Sequence, residues 1–378
     1  MGSSLLMWDE TLFRDPDVFE IDYIPDQFSY REGQIMELSH LIRPAARGGR
    51  PLNSILKGLP GTGKTTCTRK IFTEIEEMTT PIIPIHINCQ FENTRYAVLS
   101  QIYYTLTGTR PSGVGRSFNT LFSVIAKKMD EMSRILLIAL DDANYLLYEN
   151  ELNNLLYILL RSHETYPGTR IGVIVIISDM DTELGRELDS RVMSVFAPTE
   201  IYFPAYSIGE VRQILTERVQ QGFYPNVISD DIFELVVETT QSVGDMRVGL
   251  DLLKRSALNA ERDAVREIEE EHVNAAFKIS KYLHLQFCIK ALSTEEKTTL
   301  ATIAEQTKAG EELTTGSLFE LIKAKMKIGY TRYYGIVQKL DAMRLIDLKY
   351  QAGKGRGRTR LLGLRYEPEK VLHYLSPA

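Results

Sequence analysis

Eight residues constrain this chain more than any others: Gly58-Leu59-Pro60-Gly61-Thr62-Gly63-Lys64-Thr65, inside the stretch "ILKGLPGTGKTTCTRKIF". They fit GxxxxGK[ST] in full, between an apolar β-branched run and an amphipathic helical pattern. Glycines there let backbone N–H groups turn inward on phosphates, and the helix N-terminus adds partial positive charge. The reading assigns phosphate binding to Gly58, Pro60, Gly61, Thr62, Gly63, Lys64, Thr65 and Thr66. Lys64 reaches the terminal phosphates, and the Thr65 hydroxyl is a ligand for Mg²⁺. The cofactors expected are ATP or ADP with Mg²⁺.

A loop of this kind needs a parallel sheet behind it. Five runs supply the strands: "SILKG" at 54–58, "PIIPIHIN" at 81–88, "RILLIAL" at 134–140, "RIGVIVIIS" at 170–178 and "TEIYFPA" at 199–205. Helical patterns alternate with them, so the sequence predicts a doubly wound α/β domain with its ligand at the strand C-termini. The third run ends "ILLIALDDANYL". Asp141 there suits the Mg²⁺ shell, and Asp142 is placed to position an attacking water.

After Pro204 the periodicity becomes helical throughout, in segments such as "SIGEVRQILTERVQQG" and "SDDIFELVVETTQSV" that start at Ser, a good N-cap. From Leu285 three further helices are predicted, then "YTRYYGIVQKLDAMRL" as a fourth, then a strand, a Gly-rich turn and a strand in "IDLKYQAGKGRGRTRLLGLRY". The expected domains are therefore 1–204, an α/β nucleotide domain with its N-terminal segment; 205–284, a small all-helical domain; and 285–378, a basic module.

Charge supports that division. The whole chain carries a net charge of −6, yet residues 285–378 hold 16 Lys and Arg against 10 Asp and Glu, a net of +6. Residues 1–284 therefore hold 28 against 40, a net of −12. Such asymmetry suggests a nucleic-acid module on an acidic body. Within Lys349–Arg365 there are six basic residues and no acid, centred on "GKGRGRTR". Lys354, Arg356, Arg358 and Arg360, on a thin hairpin, suit phosphate contact, and the preceding helix offers Arg332, Tyr333 and Lys339, with Tyr330 and Gln338 beside them. The three cysteines, Cys67, Cys89 and Cys288, lie far apart with no CxxC spacing. This argues against zinc and disulfides and suits a reducing compartment. No apolar run of about 18 residues is present, so no membrane partner is expected. The localisation expected is cytoplasmic, associated with the nucleoid.

With these motifs in place the chain resembles the archaeal replication initiators related to origin recognition complex subunits and the Cdc-type (cell division control) loader, which are AAA+ ATPases with a C-terminal winged helix. "YIPDQFSYREGQIMEL" at 23–38 resembles the family's N-terminal segment near the adenine, which nominates Ile24, Pro25 and Arg31. "LDSRVMSVF" at 188–196 resembles the box whose arginine, here Arg191, faces a neighbouring subunit's nucleotide or the sensing region. "VGDMRVGLDLL" at 243–253 is similar to the sensor-two motif, which makes Arg247 the lid arginine on the γ-phosphate. "FPAYSIGEVRQIL" at 203–215 nominates Tyr206 and Ile214 beside the adenine. The resemblance also implies a second DNA contact in an insertion after the second strand, with Arg95 and Arg110 as contacts. It implies double-stranded origin DNA, other initiator protomers and the replicative helicase as partners.

Two departures from the family pattern carry weight. Asp142 stands where the family usually has Glu, and no Asn follows the fourth strand, so Ser178 or Asp179 must serve. A carboxylate one methylene shorter falls back by about 1.5 Å, and a misplacement of about 1 Å can cost on the order of 100-fold in rate. The expectation is a nucleotide-binding chain with slow hydrolysis. A regulatory paralogue that binds origins without loading helicase stays open. So do a clamp-loader-like AAA+ ATPase, which needs no basic wing, and a P-loop small-molecule kinase, which needs an acceptor pocket.

Overall fold

The computed structural model describes residues 11–26, 28–78, 81–111, 118–178, 182–282, 285–286, 288–289, 292–343, 345–350 and 360–376. The chain forms two compact units, Met1–Ser280 and Lys281–Ala378.

In the first unit, β1 (Ser54–Gly58), β2 (Ile82–Asn88), β3 (Ile135–Asp141), β4 (Arg170–Ile177) and β5 (Thr199–Phe203) form one parallel sheet in the order β2-β3-β4-β1-β5. All seven residues of β3 are buried, as are seven of eight in β4. That burial explains why these runs are continuously apolar rather than alternating: a parallel sheet is covered on both faces. One face packs helices Glu32–Ala46 and Lys64–Glu77 through Leu38, Leu41, Cys67, Ile71 and Phe72 against Leu56, Ile174 and Phe203. Because β4 lies between β1 and β3, Gly58, Asp141 and Ser178 emerge side by side along the sheet's C-terminal edge.

Four helices follow the sheet: Ile208–Gly222, Asp230–Val243, Met246–Arg262 and Glu270–Ser280. The first opens with a capping box between Ser207 and Glu210, and the third is capped by Asp245, whose carboxylate accepts the Arg247 N–H. One boundary differs from the sequence expectation. Residues 11–19 do not pack on the sheet; Leu12, Phe13, Val18 and Phe19 join the core of this helical bundle. The Phe19 ring lies 4.6 Å from that of Phe223, and Gly222 admits it, since a Cβ there would come within 2.3 Å of Phe19. The segment thus buries its aromatics in the bundle before crossing to the sheet.

The second unit holds helices Thr294–Lys308, Thr315–Lys325, Tyr330–Ala342 and Pro368–Leu375. They accompany an antiparallel sheet, β6 (Leu313–Thr314), β7 (Ile346–Tyr350) and β8 (Arg360–Leu364), in the order β6-β8-β7. The short β6 and the last helix were not anticipated from the sequence. Two expected DNA contacts are corrected by this packing. The Tyr333 ring is 1% exposed, and its hydroxyl donates to the Thr315 carbonyl at 2.7 Å. Lys339 is buried against Glu296 at 2.9 Å, with their side chains 5% and 1% exposed. Both face the core at helical spacing with Ile336, Val337 and Leu340, so neither can touch a nucleic acid. Among the described residues no helix is long and apolar enough to cross a membrane.

The buried Lys339–Glu296 pair yields a test. Lys339→Met leaves the buried Glu296 carboxylate without its cation, holding the Ser293 N–H at 2.8 Å, at an expected cost of about 3–5 kcal/mol. The double variant Lys339→Met/Glu296→Leu should regain part of that loss, less about 0.5–2 kcal/mol for the capping bond to Ser293 that Leu cannot make. Urea unfolding followed by circular dichroism measures both, and equal stability of the single variant and the parent would contradict the pairing.

Candidate functional site

The loop after β1 has the backbone its glycines permit. Gly61 and Gly63 have φ of +72° and +93°, the left-handed region open to glycine. Space excludes side chains as well. A Cβ on Gly61 would meet Asp245 Oδ1 at 2.1 Å, and one on Gly63 would meet the Tyr206 hydroxyl at 2.8 Å and the Phe28 ring at 2.9 Å. The helical bundle and the N-terminal segment therefore close directly over the loop. Phe28 was missed in the sequence. Its only signal was its position within "DQFSYRE", three residues before Arg31.

Lys64 is buried and donates from Nζ to the carbonyls of Gly58 and Leu59, both at 2.8 Å. Burial lowers its pKa to about 8, opposed in part by the charges of Asp142 and Asp141. Thr65 Oγ1 donates to Asp141 Oδ2 at 2.8 Å. A hydroxyl and a carboxylate this close are hard oxygen donors of the kind Mg²⁺ takes alongside phosphate and water, so the residues fit that ion. Asp141 has a third partner, His86 on β2, whose Nε2 lies 2.8 Å from Oδ2. Burial pushes the Asp141 carboxyl up, but His86, Thr65 and Lys64 together bring it below its ordinary value. Asp142 goes the other way, raised by burial and by Asp141. Its φ is +51°, unusual for a side-chain-bearing residue. Ser178 Oγ donates to Asp142 Oδ1 at 2.7 Å, and Asn144 Oδ1 accepts the Ser178 N–H at 3.2 Å. Ser178 thus stands beside Asp142 at the end of β4. Asp179 lies outside the described residues. His86 and Asn144 were also missed: a lone His in a strand and an Asn after two acids carry no spacing signal.

From the bundle side, Arg247 pairs with Asp245 at 2.5 Å, and Asp245 lies against the loop at Gly61. Arg31 is 2% exposed and spans three elements. It donates to the carbonyls of Thr62 at 2.9 Å, Pro204 at 2.7 Å and Tyr30 at 2.7 Å, and its guanidinium lies 3.8 Å from the Tyr206 ring centre. Pro25 is buried, and its carbonyl takes Lys70 Nζ at 3.0 Å, while Ile24, Pro60, Thr66 and Ile214 are half-buried. Arg191 is exposed on the helix Ser190–Phe196 and takes no part in this network.

The expected DNA residues fall in both compact units. Arg332 is exposed and paired with Glu295 at 3.0 Å. Arg95 opens the helix Arg95–Thr107, pairs with Glu151 at 3.2 Å and lies over the Phe118 ring, and Arg110 is exposed. Arg360 begins β8. Lys354, Arg356 and Arg358 lie outside the described residues.

The model of the AAA domain family matches residues 49–181, and that of the Cdc6 AAA+ ATPase-type lid domain matches residues 212–278. Over 378 residues, covering 100% of both chains, the sequence is 44% identical to the ORC1-type DNA replication protein 2 of Methanosarcina mazei. It is 42% identical over 371 residues to the ORC1-type DNA replication protein 6 of Halobacterium salinarum, with 98% of each chain covered. A solved structure of the Aeropyrum pernix ORC1 protein in complex with DNA is similar with a TM-score of 0.78 at 27% identity, again over 98% of each chain.

Arg31 supports a direct test of the loop's anchoring. Arg31→Met strips three carbonyls of a charged donor, with each such bond worth about 1.5–3 kcal/mol. Amide exchange should accelerate in peptides spanning residues 58–66 and 203–210. Arg31→Lys, which cannot span all three acceptors, should recover only part. Unchanged protection in both variants would refute the anchoring.

Proposed function

The chain belongs to the archaeal ORC1-type DNA replication protein family, and from that premise we propose that it is an ATP-binding initiator that recognises origin duplex DNA, with ATP and ADP as a slow switch. The observation that carries the reading is the meeting of Lys64, the Thr65–Asp141 pair, the Ser178–Asp142 pair and the Arg247–Asp245 pair at one edge of the sheet. The three-part division at 1–204, 205–284 and 285–378 belongs to the same proposal, with residues 11–19 assigned to the lid core. The winged-helix reading of the last part rests on its helices and its β7–β8 hairpin.

In this reading the loop amides and Lys64 hold the phosphates, and Phe28, Tyr206, Ile24, Pro25 and Ile214 surround the base. Thr65 and Asp141 are the residues that would hold Mg²⁺, which when bound neutralises charge on the β- and γ-phosphates. Arg247 exchanges Asp245 for the γ-phosphate, which couples the lid to the nucleotide state. Asp142 orients the attacking water, held by Ser178 and short of reach by one methylene. A regulatory paralogue that binds origins without loading helicase is the second reading, and Asp142 favours it. Other protomers, engaged through Arg191, and the replicative helicase are the further partners proposed.

Two experiments test these assignments. Asp142→Glu should raise ATP hydrolysis by about 10- to 100-fold without changing nucleotide affinity; phosphate release measures the first and equilibrium titration the second. An unaltered rate would remove Asp142 as the brake. For DNA, footprinting on genomic fragments at stated salt compares the parent chain with Arg356→Ala/Arg358→Ala. Discrete protection by the parent alone, with a log affinity–log salt slope shallower by about 2 in the variant, supports the wing. No discrete site for the parent would end the initiator reading.

A further inference from the structure

We propose that His86 is the positioning residue for the Asp141 carboxylate, and that it sets how much Mg²⁺ the nucleotide site requires. The inference deepens the proposed function and rests on its nucleotide reading. His86 lies on β2 opposite Ala139, two residues before Asn88, which pairs in register with Asp141. The alternating strand "IIPIHIN" would accept any β-former at this position. An imidazole there has a partner to meet: its Nε2 lies 2.8 Å from Asp141 Oδ2, with the two side chains 18% and 6% exposed.

The carboxylate's acceptor positions account for its orientation. Oδ1 accepts the Asp142 N–H at 3.1 Å, and Oδ2 accepts both the Thr65 hydroxyl and His86. An ionised carboxylate has no proton to give, so Nε2 carries the hydrogen of this bond. The Thr65 hydroxyl gives its one proton to Oδ2 and keeps its lone pairs for a cation, so it holds Oδ2 from the loop side through a rotatable group. Without His86, Oδ2 would rest on that rotatable hydroxyl alone, and the carboxylate could turn about its χ2 with it. His86 is the remaining donor, and it comes from a different strand. It therefore fixes Oδ2 while leaving acceptor capacity on Oδ1. Its hydrogen bond is the first of the influences that draw the buried Asp141 carboxyl downward against burial. Partners of this kind behind a metal-binding carboxylate are worth about 10- to 100-fold in metal affinity.

The test uses the full chain and a non-hydrolysable fluorescent ATP analogue, titrated at a series of Mg²⁺ concentrations and in EDTA. The parent chain should bind more tightly as Mg²⁺ rises; a parent indifferent to Mg²⁺ would overturn the metal site of the proposed function and this inference with it. Given a responsive parent, His86→Leu should shift the Mg²⁺ midpoint upward by about 10-fold while leaving affinity in EDTA unchanged. His86→Gln, whose side-chain amide can still donate, should return the midpoint to within about 3-fold of the parent. A His86→Leu midpoint equal to that of the parent overturns the inference. So does an equal loss in EDTA and in Mg²⁺, which marks a merely structural residue, and so does a His86→Gln midpoint shifted as far as that of His86→Leu.

Discussion

The buried guanidinium of Arg31 joins the parts of the first unit. A fixed planar fork meets carbonyls from the phosphate loop, from its own segment and from the start of the helical bundle, and its face rests on Tyr206. No carboxylate among the described residues forms an ion pair with it, so desolvation is offset by carbonyl dipoles and a ring instead. That choice matters for geometry. A carboxylate partner would localise the charge at one point, whereas three carbonyls on three elements fix the loop and the bundle in one frame. Lysine lacks the fork and could not serve all three.

The cleft beside this anchor carries Lys64 and Arg247 against Asp141, Asp142 and Asp245. Every one of these groups already has a partner within the protein. Lys64 rests on loop carbonyls, Asp141 on Thr65 and His86, Asp142 on Ser178, and Arg247 on Asp245. A polyphosphate entering such a site must exchange these bonds rather than find bare charges. Each exchange costs a charge-assisted bond of about 1.5–3 kcal/mol before returning one. Binding is therefore strongly selective for a ligand that offers oxygens at several of these points together.

The sheet was legible because burial on both faces leaves a parallel strand no polar positions, and "ILLIALD" can hardly be anything else. The loop was legible because its glycines are demanded by backbone and space at once. Other features failed for physical reasons. Tyr333 and Lys339 look like DNA contacts in a list of polar and basic residues, but helical spacing turns them inward with Ile336 and Leu340. A one-dimensional composition cannot weigh a Lys that is neutralised by Glu296, contributed by a different helix. His86 and Phe28 act across strand and segment boundaries, where no local pattern records them. Residues 11–19 sit far from the lid in sequence, and the Phe13–Phe19–Phe223 cluster, with Leu12 and Val18 beside it, reveals the docking.

The placement of Asp245 argues for a switch more than a motor. One residue caps the helix Met246–Arg262, holds Arg247 and touches the loop at Gly61. Drawing Arg247 toward a γ-phosphate therefore disturbs the first turn of a lid helix and its contact with the loop in the same step. In the proposed reading, lid position and phosphate state would be linked through this single carboxylate, with no long pathway required. Hydrolysis would release that arrangement, but Asp142 is short, constrained at positive φ and bonded to Ser178. On the proposed slow-switch reading, such a site would hold each nucleotide state for long periods. The proposed role of marking positions on DNA needs long-lived states of that kind, whereas a processive motor does not.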